Sequence, residues 1–424
     1  MMRDQIEFES AIDRWVSAQL ASPIMWNSLL YSLPGVYPEL ILKSAKRLSL
    51  LHRIHFTAGE LSKRPAPSLA TDLWAKEKLA TPHPLDSTWW FGDSALKTLL
   101  ERIESLSTPR SNVLLLGTPT LFHYAKGQSK ERSFFLVDHE SAQRKNAIHG
   151  HISVDLLSEQ PSLEKSNVIV ADPPWYPQET RAFLLTAVQN ATRSGKILLS
   201  VPPVGTRPGI EEEWQDLLMW ARDMGLRLLA YETGILPYLS PLFEKNALRA
   251  GGVEVYPEDW RRGDLATFEW DGTSERPRSS MSAARKEEWS EILFGRVQLR
   301  VRTSRCTVWK TPVLKEIVPG GVLPTVSRRD ERLASVGAWT SGNRVFECGG
   351  THVLGIIALA VATQQCVVRS VASLMGVNLT IRQKVEIEEV ATVLADVAAI
   401  EGQEITDWGN RRNDNVVELP SYQS

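Results

Sequence analysis

The chain has 424 residues and carries 48 Lys and Arg against 50 Asp and Glu, so its formal net charge is −2. This balance excludes a protein that holds nucleic acid or an anionic membrane by bulk charge, because such binding needs a clear cationic excess. With 43% hydrophobic and 23% charged residues, the composition is that of a globular protein with two or three domains.

The spacing of the cysteines and the length of the apolar runs indicate the cellular compartment in which the protein is expected. Cys306, Cys348 and Cys366 lie far apart and form no Cys-x-x-Cys pair, which argues against a disulfide framework and a cysteine-based zinc site. The first 15 residues include acidic side chains where a signal peptide would be apolar. The longest apolar run, 353–362, has ten residues, whereas a membrane span needs roughly 20. We expect a soluble, cytoplasmic protein that uses no metal.

Residues 1–90 are predicted to form an N-terminal helical or winged-helix module. Apolar residues recur at helical spacing, as in Ile12, Trp15 and Val16, and Pro34-Gly35 separates short helices. A module that recognises nucleic acid would need basic side chains directed at one groove. The few basic residues of this region do not distinguish such a module from a structural cap on the next domain.

Residues 91–272 are predicted to form a Rossmann-like, doubly wound α/β domain. Short apolar runs alternate with segments of helical periodicity, which indicates parallel strands buried on both faces. The functional residues of such a sheet lie beyond the carboxyl ends of its strands. The six predicted strands are 112–117, 133–138, 167–172, 196–201, 226–231 and 266–270.

Residues 281–424 are predicted to form a C-terminal α+β domain of unassigned role, after a polar Pro/Ser linker. Residues 296–302 alternate as a strand with one apolar and one cationic or polar face. Between Arg296 and Arg344 there are ten Lys and Arg against three Asp and Glu, whereas residues 386–407 hold seven acids and no base. The basic region is therefore compatible with a nucleic-acid or protein partner, with an acidic partner segment inside the protein, or with a subunit contact.

The loop Asp172-Pro173-Pro174-Trp175 directly follows an apolar strand and carries the sharpest chemical signal. An amine that attacks an electrophilic carbon needs its N–H groups held and its lone pair exposed. A carboxylate and a backbone carbonyl accept those hydrogen bonds, prolines fix the loop, and an aromatic ring stacks on a flat acceptor. The alternative is a tight structural turn before the next helix.

Other candidates follow the neighbouring strands. Gly117 follows the first strand, where a backbone without Cβ lets a nucleotide-like ligand approach a helix N-terminus. Asp138 ends the second strand and can bind ribose hydroxyls, while Asp155 and Leu156 can offer a carboxylate and an apolar side to an adenine. Each is alternatively a turn or a cap.

These ordered segments, LLLG at 114–117, LVD at 136–138, VDLL at 154–157 and VADPPW at 170–175, resemble the class I S-adenosylmethionine-dependent methyltransferases. The D-P-P-W form is similar to that of N6-adenine and related amino-methyltransferases. The resemblance covers residues 93–272. It implies that Gly117, Thr118 and Pro119 bind the methionine part of S-adenosylmethionine, that Asp138 binds ribose, and that 172–175 hold the target amine.

The first motif departs from the usual pattern of that family. It has one glycine, followed by Thr118 and Pro119, and proline removes an N–H donor from the loop. The Thr118 hydroxyl can partly replace that donor. The departure leaves open a catalytically silent methyltransferase-fold subunit that acts as a scaffold in a larger assembly.

A second resemblance concerns the branched-chain polyamine synthases. Residues 172–188, together with a helical N-terminal module, look like those enzymes, which transfer an aminopropyl group from a decarboxylated form of the same cofactor. They carry an acid-rich stretch for a polycation, of which Asp138-His139-Glu140 is a thin version. Aminopropyl transfer is therefore the second hypothesis and methyl transfer to an amino nitrogen, such as that of adenine, the first.

Overall fold

The computed structural model describes residues 2–56, 68–76, 79–139, 150–272, 289–303 and 308–409. These residues divide into two compact units. The first contains the described residues within Met1–His55, Ser68–Pro241 and Gly252–Lys286, and the second those within Phe56–Pro67, Leu242–Gly251 and Glu287–Ser424. None of the described helices combines the length and the apolar character that crossing a membrane requires.

The first unit begins with short helices and one small parallel pair of strands. Its elements are α1 (Met2–Gln19), β1 (Ile24–Met25), α2 (Trp26–Ser32), α3 (Pro38–Arg47) and β2 (Ile54–His55), with β1 paired to β2. Asp13 of α1 accepts hydrogen bonds from Ser44 and Arg47 of α3, and the Arg47 hydrogen bond lowers the pKa of Asp13. The indole N–H of Trp26 donates to Val255 O at 2.6 Å, which ties this helical segment to the rest of the unit.

An eight-stranded sheet forms the centre of the first unit, in the order β3-β9-β10-β8-β7-β4-β5-β6. The strands β4 to β8 are parallel, and β10 is antiparallel to both β8 and β9. The strands are β3 (Trp90–Phe91), β4 (Asn112–Leu116), β5 (Ser133–Asp138), β6 (His151–Ser153), β7 (Ser166–Ala171), β8 (Ala191–Val201), β9 (Leu226–Leu239) and β10 (Arg262–Trp270).

All six predicted strands are present and the Rossmann-like α/β prediction is confirmed. The sheet is mixed, however, because the last strand enters it antiparallel between two earlier ones. The helices of this region are α4 (Leu69–Ala75), α5 (Asp93–Leu106), α6 (Pro119–Gln128), α7 (Pro177–Asn190) and α8 (Ile210–Asp223).

The core lies on both faces of the sheet, as continuous apolar strands require. Along β4, Val113 and Leu115 pack on one face with α5 and α6, whereas Leu114 and Leu116 pack on the other with α7 and α8. All four side chains are at most 1% exposed. Each contributes roughly 1.5–3 kcal/mol of burial free energy, and this rigid core fixes where the strands end.

The N-terminal segment interlocks with the loop that follows β8. A Cβ on Gly205 would lie 2.6 Å from Pro34 O and from Val36 Cγ2, and a Cβ on Gly35 would lie 2.7 Å from Thr206 Oγ1. Both glycines are therefore required by close approach of two backbones. The helical segment is thus fixed against the loop at the carboxyl end of β8.

The second unit is an α+β structure, as predicted for the C-terminal region. Its elements are α9 (Leu242–Ala250), β11 (Trp289–Phe294), β12 (Val297–Arg302), β13 (Val313–Glu316), β14 (Ala338–Thr340), β15 (Val345–Gly349), α10 (Thr351–Ala362), α11 (Val367–Met375) and α12 (Ile381–Gly409). The strands form an antiparallel sheet in the order β11-β12-β14-β15-β13, and α10, α11 and α12 pack on it around Leu299, Phe346 and Ile357.

Two polar side chains of β12 are buried. Gln298 is fully buried and Arg300 is 8% exposed, with its guanidinium 2.8 Å from Glu291 of the adjacent strand. Arg344 binds Glu401 and Glu404 of α12 at 3.1 and 2.8 Å. Part of the predicted basic region is thus paired with acids of its own unit, including the acidic segment 386–407.

Candidate active site

The carboxyl ends of β5, β4 and β7, and the segment after β6, meet at one edge of the sheet. This is the edge at which the strand order reverses and where doubly wound sheets bind ligands. Backbone hydrogen bonds join the ends of neighbouring strands: from Gly117 N to Val137 O (2.9 Å), from Asp172 N to Leu116 O (3.0 Å) and from Val154 N to Asp138 O (3.1 Å). The structure therefore brings the predicted residues Gly117, Asp138, Asp155 and Asp172 to a common edge.

Gly117 forms a turn that only glycine accommodates well. Its φ is +67°, and a Cβ there would lie 2.9 Å from both Asp172 O and Phe183 Cε1. The group that the structure places against Gly117 is the Asp172 loop, whereas the approach of a nucleotide-like ligand stays a prediction. The absence of a Cβ at Gly117 thus allows the backbone of Asp172 to pack directly against this turn.

Thr118 and Pro119 open helix α6. Pro119 is its first residue, where a backbone N–H has no partner within the helix, so this proline removes less than the sequence suggested. Thr118 is 1% exposed, and its Oγ1 has no hydrogen-bond partner among the residues that the structure describes. A buried hydroxyl of this kind is suited to binding a polar group of a ligand.

Asp138 and Asp155 differ in what surrounds them. Asp138 accepts a hydrogen bond from His139 N at 2.9 Å, and its charge is near enough to raise the pKa of Asp172. Asp155 accepts from Leu157 N at 3.1 Å and starts a turn. Leu156 is 4% exposed and packs in the core, so its predicted contact with an adenine ring would need access from within that core. Glu140 lies outside the described residues.

Asp172 takes part in a hydrogen-bonded network with two residues to which the sequence assigned no catalytic role. Tyr238 donates to Asp172 Oδ1 at 2.7 Å, and Ser200 Oγ lies 2.6 Å from Tyr238 Oη. Burial raises the pKa of Asp172 to about 7, while the hydrogen bond from Tyr238 acts in the opposite direction. The carboxyl group can therefore gain or lose a proton near neutral pH.

Trp175 is the fourth member of this hydrogen-bonded network. Its Nε1 donates to Ser200 Oγ at 3.1 Å, and its ring meets Tyr238 edge-on with centroids 5.6 Å apart. The guanidinium of Arg261 lies 5.9 Å from the Trp175 centroid and also over Trp89 and Trp260, at 5.0 and 4.7 Å. Trp175 thus contacts Ser200, Tyr238 and Arg261 within the protein, whereas its stacking on an acceptor stays a prediction.

Sequence reasoning assigned Tyr238 no chemistry, because the residue lies far along β9, beyond the segment 226–231 that is predicted as a strand. The topology places β10 between β8 and β9, and Leu265 of β10 pairs with Ser200 of β8. The only signal in the sequence was the polar aromatic residue itself.

Gly263 leaves room for the two rings. A Cβ there would lie 3.0 Å from Trp175 Cζ2 and 3.1 Å from Tyr238 Cε2. We expect Gly263→Ala to lower the free energy of unfolding by about 1–3 kcal/mol and to displace both rings. Calorimetry and near-ultraviolet circular dichroism would measure these effects. Gly127→Ala is the control, because a Cβ at Gly127 meets nothing within 4 Å; equal behaviour of the two variants would contradict the prediction.

Comparison with known proteins agrees with this geometry. Residues 85–212 match the model of a family described as probable N6-adenine methyltransferase. The match includes Gly117, Asp138, the Asp172–Trp175 loop and Ser200, and it ends before Tyr238. It confirms the resemblance predicted from the motifs over less than a third of the chain. No curated protein matches the chain.

Several solved structures are similar at low identity. A branched-chain polyamine synthase from Thermus thermophilus, in complex with N4-aminopropylspermidine and 5'-methylthioadenosine, is 15% identical and covers 66% of this chain and 96% of its own, with a TM-score of 0.48. TrmN from Thermus thermophilus is 11% identical over 62% and 78%, with a TM-score of 0.29. A TehB-like S-adenosylmethionine-dependent methyltransferase from Corynebacterium glutamicum is 12% identical over 40% and 85%, with a TM-score of 0.28. Likenesses of this degree carry no information about activity.

Proposed function

We propose that the protein transfers a methyl group from S-adenosylmethionine to the amino nitrogen of a planar acceptor such as an adenine base. One observation carries this proposal: the carboxyl group of Asp172, hydrogen-bonded by Tyr238, lies at the sheet edge shared with Gly117 and Asp138. Methylation of an amino nitrogen requires a fixed group that accepts hydrogen bonds from the amine, close to a site that can bind the nucleoside part of the methyl donor.

The residues at the ends of β4 and β5 fit the methyl donor. The buried Thr118 hydroxyl is suited to a polar group of its methionine part, and the Asp138 carboxylate to its ribose hydroxyls. S-adenosylmethionine supplies an electrophilic methyl group on a sulfonium. The neighbouring Asp172 loop then lies where an acceptor nitrogen can face that methyl group.

The Asp172 loop aligns the acceptor. The Asp172 carboxylate and the Pro173 carbonyl are suited to accept hydrogen bonds from the two N–H groups of the amine. A hydrogen bond of 2.7 Å from Tyr176 N to Pro174 O closes the turn of this loop. As the C–N bond forms, the C–S bond breaks and its electron pair stays on sulfur. The nitrogen then carries a positive charge until its proton leaves, and Asp172 can accept that proton near neutral pH.

The aromatic groups near Asp172 argue against a polyamine acceptor. The rings of Trp89, Trp175 and Trp260 already surround the guanidinium of Arg261. An ammonium group of a polyamine would compete for the same ring faces, because cations bind there. Methyl transfer therefore ranks above aminopropyl transfer.

Calorimetry with S-adenosylmethionine, S-adenosylhomocysteine and the decarboxylated cofactor tests the donor. We expect the first two to bind, and Asp138→Ala to weaken both by roughly 10–100-fold because a charge-assisted hydrogen bond to ribose is lost. Asp223→Ala is the control, since the side chain of Asp223 is 76% exposed at the end of α8.

The outcomes separate the three functions. Stronger binding of the decarboxylated form would favour aminopropyl transfer, and no binding of any form would leave a scaffold. If the donor binds, tritium transfer from labelled S-adenosylmethionine to adenosine or an adenine-containing single-stranded oligonucleotide tests the acceptor. We propose separately that the basic region between Arg296 and Arg344 contacts a nucleic-acid or protein partner, and cross-linking at the exposed Lys310 and Lys315 tests this.

A further inference from the structure

We propose that Tyr238 is a positioning residue that keeps the Asp172 carboxylate charged and aimed at the acceptor amine. The proposal rests on the proposed methyl transfer. It adds a residue from β9, outside the segment that matches the methyltransferase family.

The hydrogen bonds among these residues run in one direction. An indole N–H can only donate, so Ser200 Oγ accepts from Trp175 Nε1 at 3.1 Å and its own hydroxyl proton remains available for Tyr238 Oη at 2.6 Å. Tyr238 in turn donates to Asp172 Oδ1 at 2.7 Å. The chain of donors ends on the carboxylate, which is the group that must accept from an acceptor amine.

The Tyr238 ring is fixed on several sides. It is 2% exposed, and it stacks on Phe91 with centroids 5.0 Å apart and an interplanar angle of 29°. Its backbone N–H donates to Arg261 O at 2.9 Å, and Gly263 leaves space for its edge. A phenol held in this way keeps its hydroxyl on Asp172 without conformational search.

The charges around the carboxyl group make this hydrogen bond consequential. Burial and the charge of Asp138 on β5 raise the pKa of Asp172, whereas the hydrogen bond from Tyr238 on β9 lowers it. Burial and the charge of Asp172 raise the pKa of Tyr238, with Arg261 opposing, so the phenol remains a donor throughout the physiological range. Loss of the phenolic hydroxyl would leave Asp172 protonated at neutral pH.

The same strand offers a matched control. Tyr231 donates to Asp264 Oδ2 at 2.7 Å, and Asp264 is 3% exposed with a pKa raised by burial. Asp264 also accepts from Gly234 N at 2.7 Å, where it supports the irregular pairing of β9 with β10. Tyr231→Phe thus removes an equivalent hydrogen bond from a carboxyl group that has no part in the proposed reaction.

The test compares Tyr238→Phe, Tyr231→Phe and the unchanged protein in tritium transfer to an adenine-containing single-stranded oligonucleotide, from about pH 5.5 to about pH 9.5. We expect Tyr238→Phe to move the lower limb of the rate profile upward by roughly one to two pH units, with kcat largely restored at high pH. Tyr231→Phe should leave the limb in place. A loss of kcat that is equal at every pH, or an unshifted limb, would overturn the proposal.

Unfolding measured against pH gives a second readout that needs no acceptor. Because the pKa of Asp172 is higher in the folded state than in the unfolded chain, its stabilising contribution is complete below about pH 4 and is lost as pH rises through about 7. Tyr238→Phe should extend that loss to higher pH, and adding Asp172→Asn should abolish the difference. Failure of the unchanged protein to transfer methyl groups would refute the proposed function, whereas an unchanged pH dependence of unfolding would refute the role of Tyr238.

Discussion

Replacing Asp172 by alanine is expected to lower the rate of methyl transfer by roughly 10²-fold or more while S-adenosylmethionine still binds. In the proposed reaction the side chain holds the acceptor amine, and it accepts a hydrogen bond from Tyr238 at 2.7 Å. Its loss would therefore remove both the alignment of the nucleophile and the end point of the hydrogen-bonded network. Single-turnover transfer of tritium, together with calorimetry of donor binding, measures the two effects separately.

Two further variants make this result specific. Asp172→Asn keeps one acceptor oxygen without the charge and should fall between alanine and the natural residue. Asp264→Asn changes another buried carboxyl group on the same sheet, and it should alter stability while sparing transfer. Transfer that survives in Asp172→Ala would show that the amine is held elsewhere.

Replacing Arg344 by methionine is expected to lower the free energy of unfolding of the second unit by about 3–5 kcal/mol near pH 8. Arg344 lies between Glu401, which is fully buried, and Glu404. Glu401 also accepts hydrogen bonds from Thr340 Oγ1 and from Gly342 N. Without the guanidinium, a buried carboxylate would remain without its counter-charge. Chemical denaturation followed by circular dichroism measures the change.

The pH dependence of the Arg344 variant distinguishes this cause from lost packing. Burial raises the pKa of Glu401 to about 7 in the folded protein, with Arg344 opposing the rise. The variant should raise that pKa further, so its extra instability should increase as pH rises above 7 and diminish in acid. Adding Glu401→Gln should restore most of the loss at pH 8. A pH-independent loss that Glu401→Gln fails to reduce would contradict the electrostatic account.

The strand pattern was predictable because apolar runs buried on both faces leave few alternatives for a sheet. The same pattern predicted which edge carries Gly117, Asp138 and Asp172, since each follows a parallel strand. The antiparallel insertion of β10 was not predictable, because local apolar character carries no information about strand direction. The partnership of Tyr238 with Asp172 depends on that insertion, and so escaped the sequence.

Local charge counts had a similar limit. The excess of bases between Arg296 and Arg344 is real, yet Arg300 faces Glu291 and Arg344 faces α12. Composition gives the number of charges and their order, while pairing depends on register and packing. The remaining cations of the region, such as Lys310 and Lys315, are the ones to examine in any search for a partner.

The position of β10 also has a consequence for the order in which a newly made chain becomes active. Ser200 lies on β8 and Tyr238 on β9, and β10, the last of the three to leave the ribosome, separates and pairs with both. A nascent chain that ends before residue 262 contains all of the parallel strands and the residues Gly117 and Asp138 of the proposed donor site, but it lacks the strand that lies between Ser200 and Tyr238. Under the proposed function, a product truncated there would keep the residues for the methyl donor and lose the arrangement that aligns the acceptor.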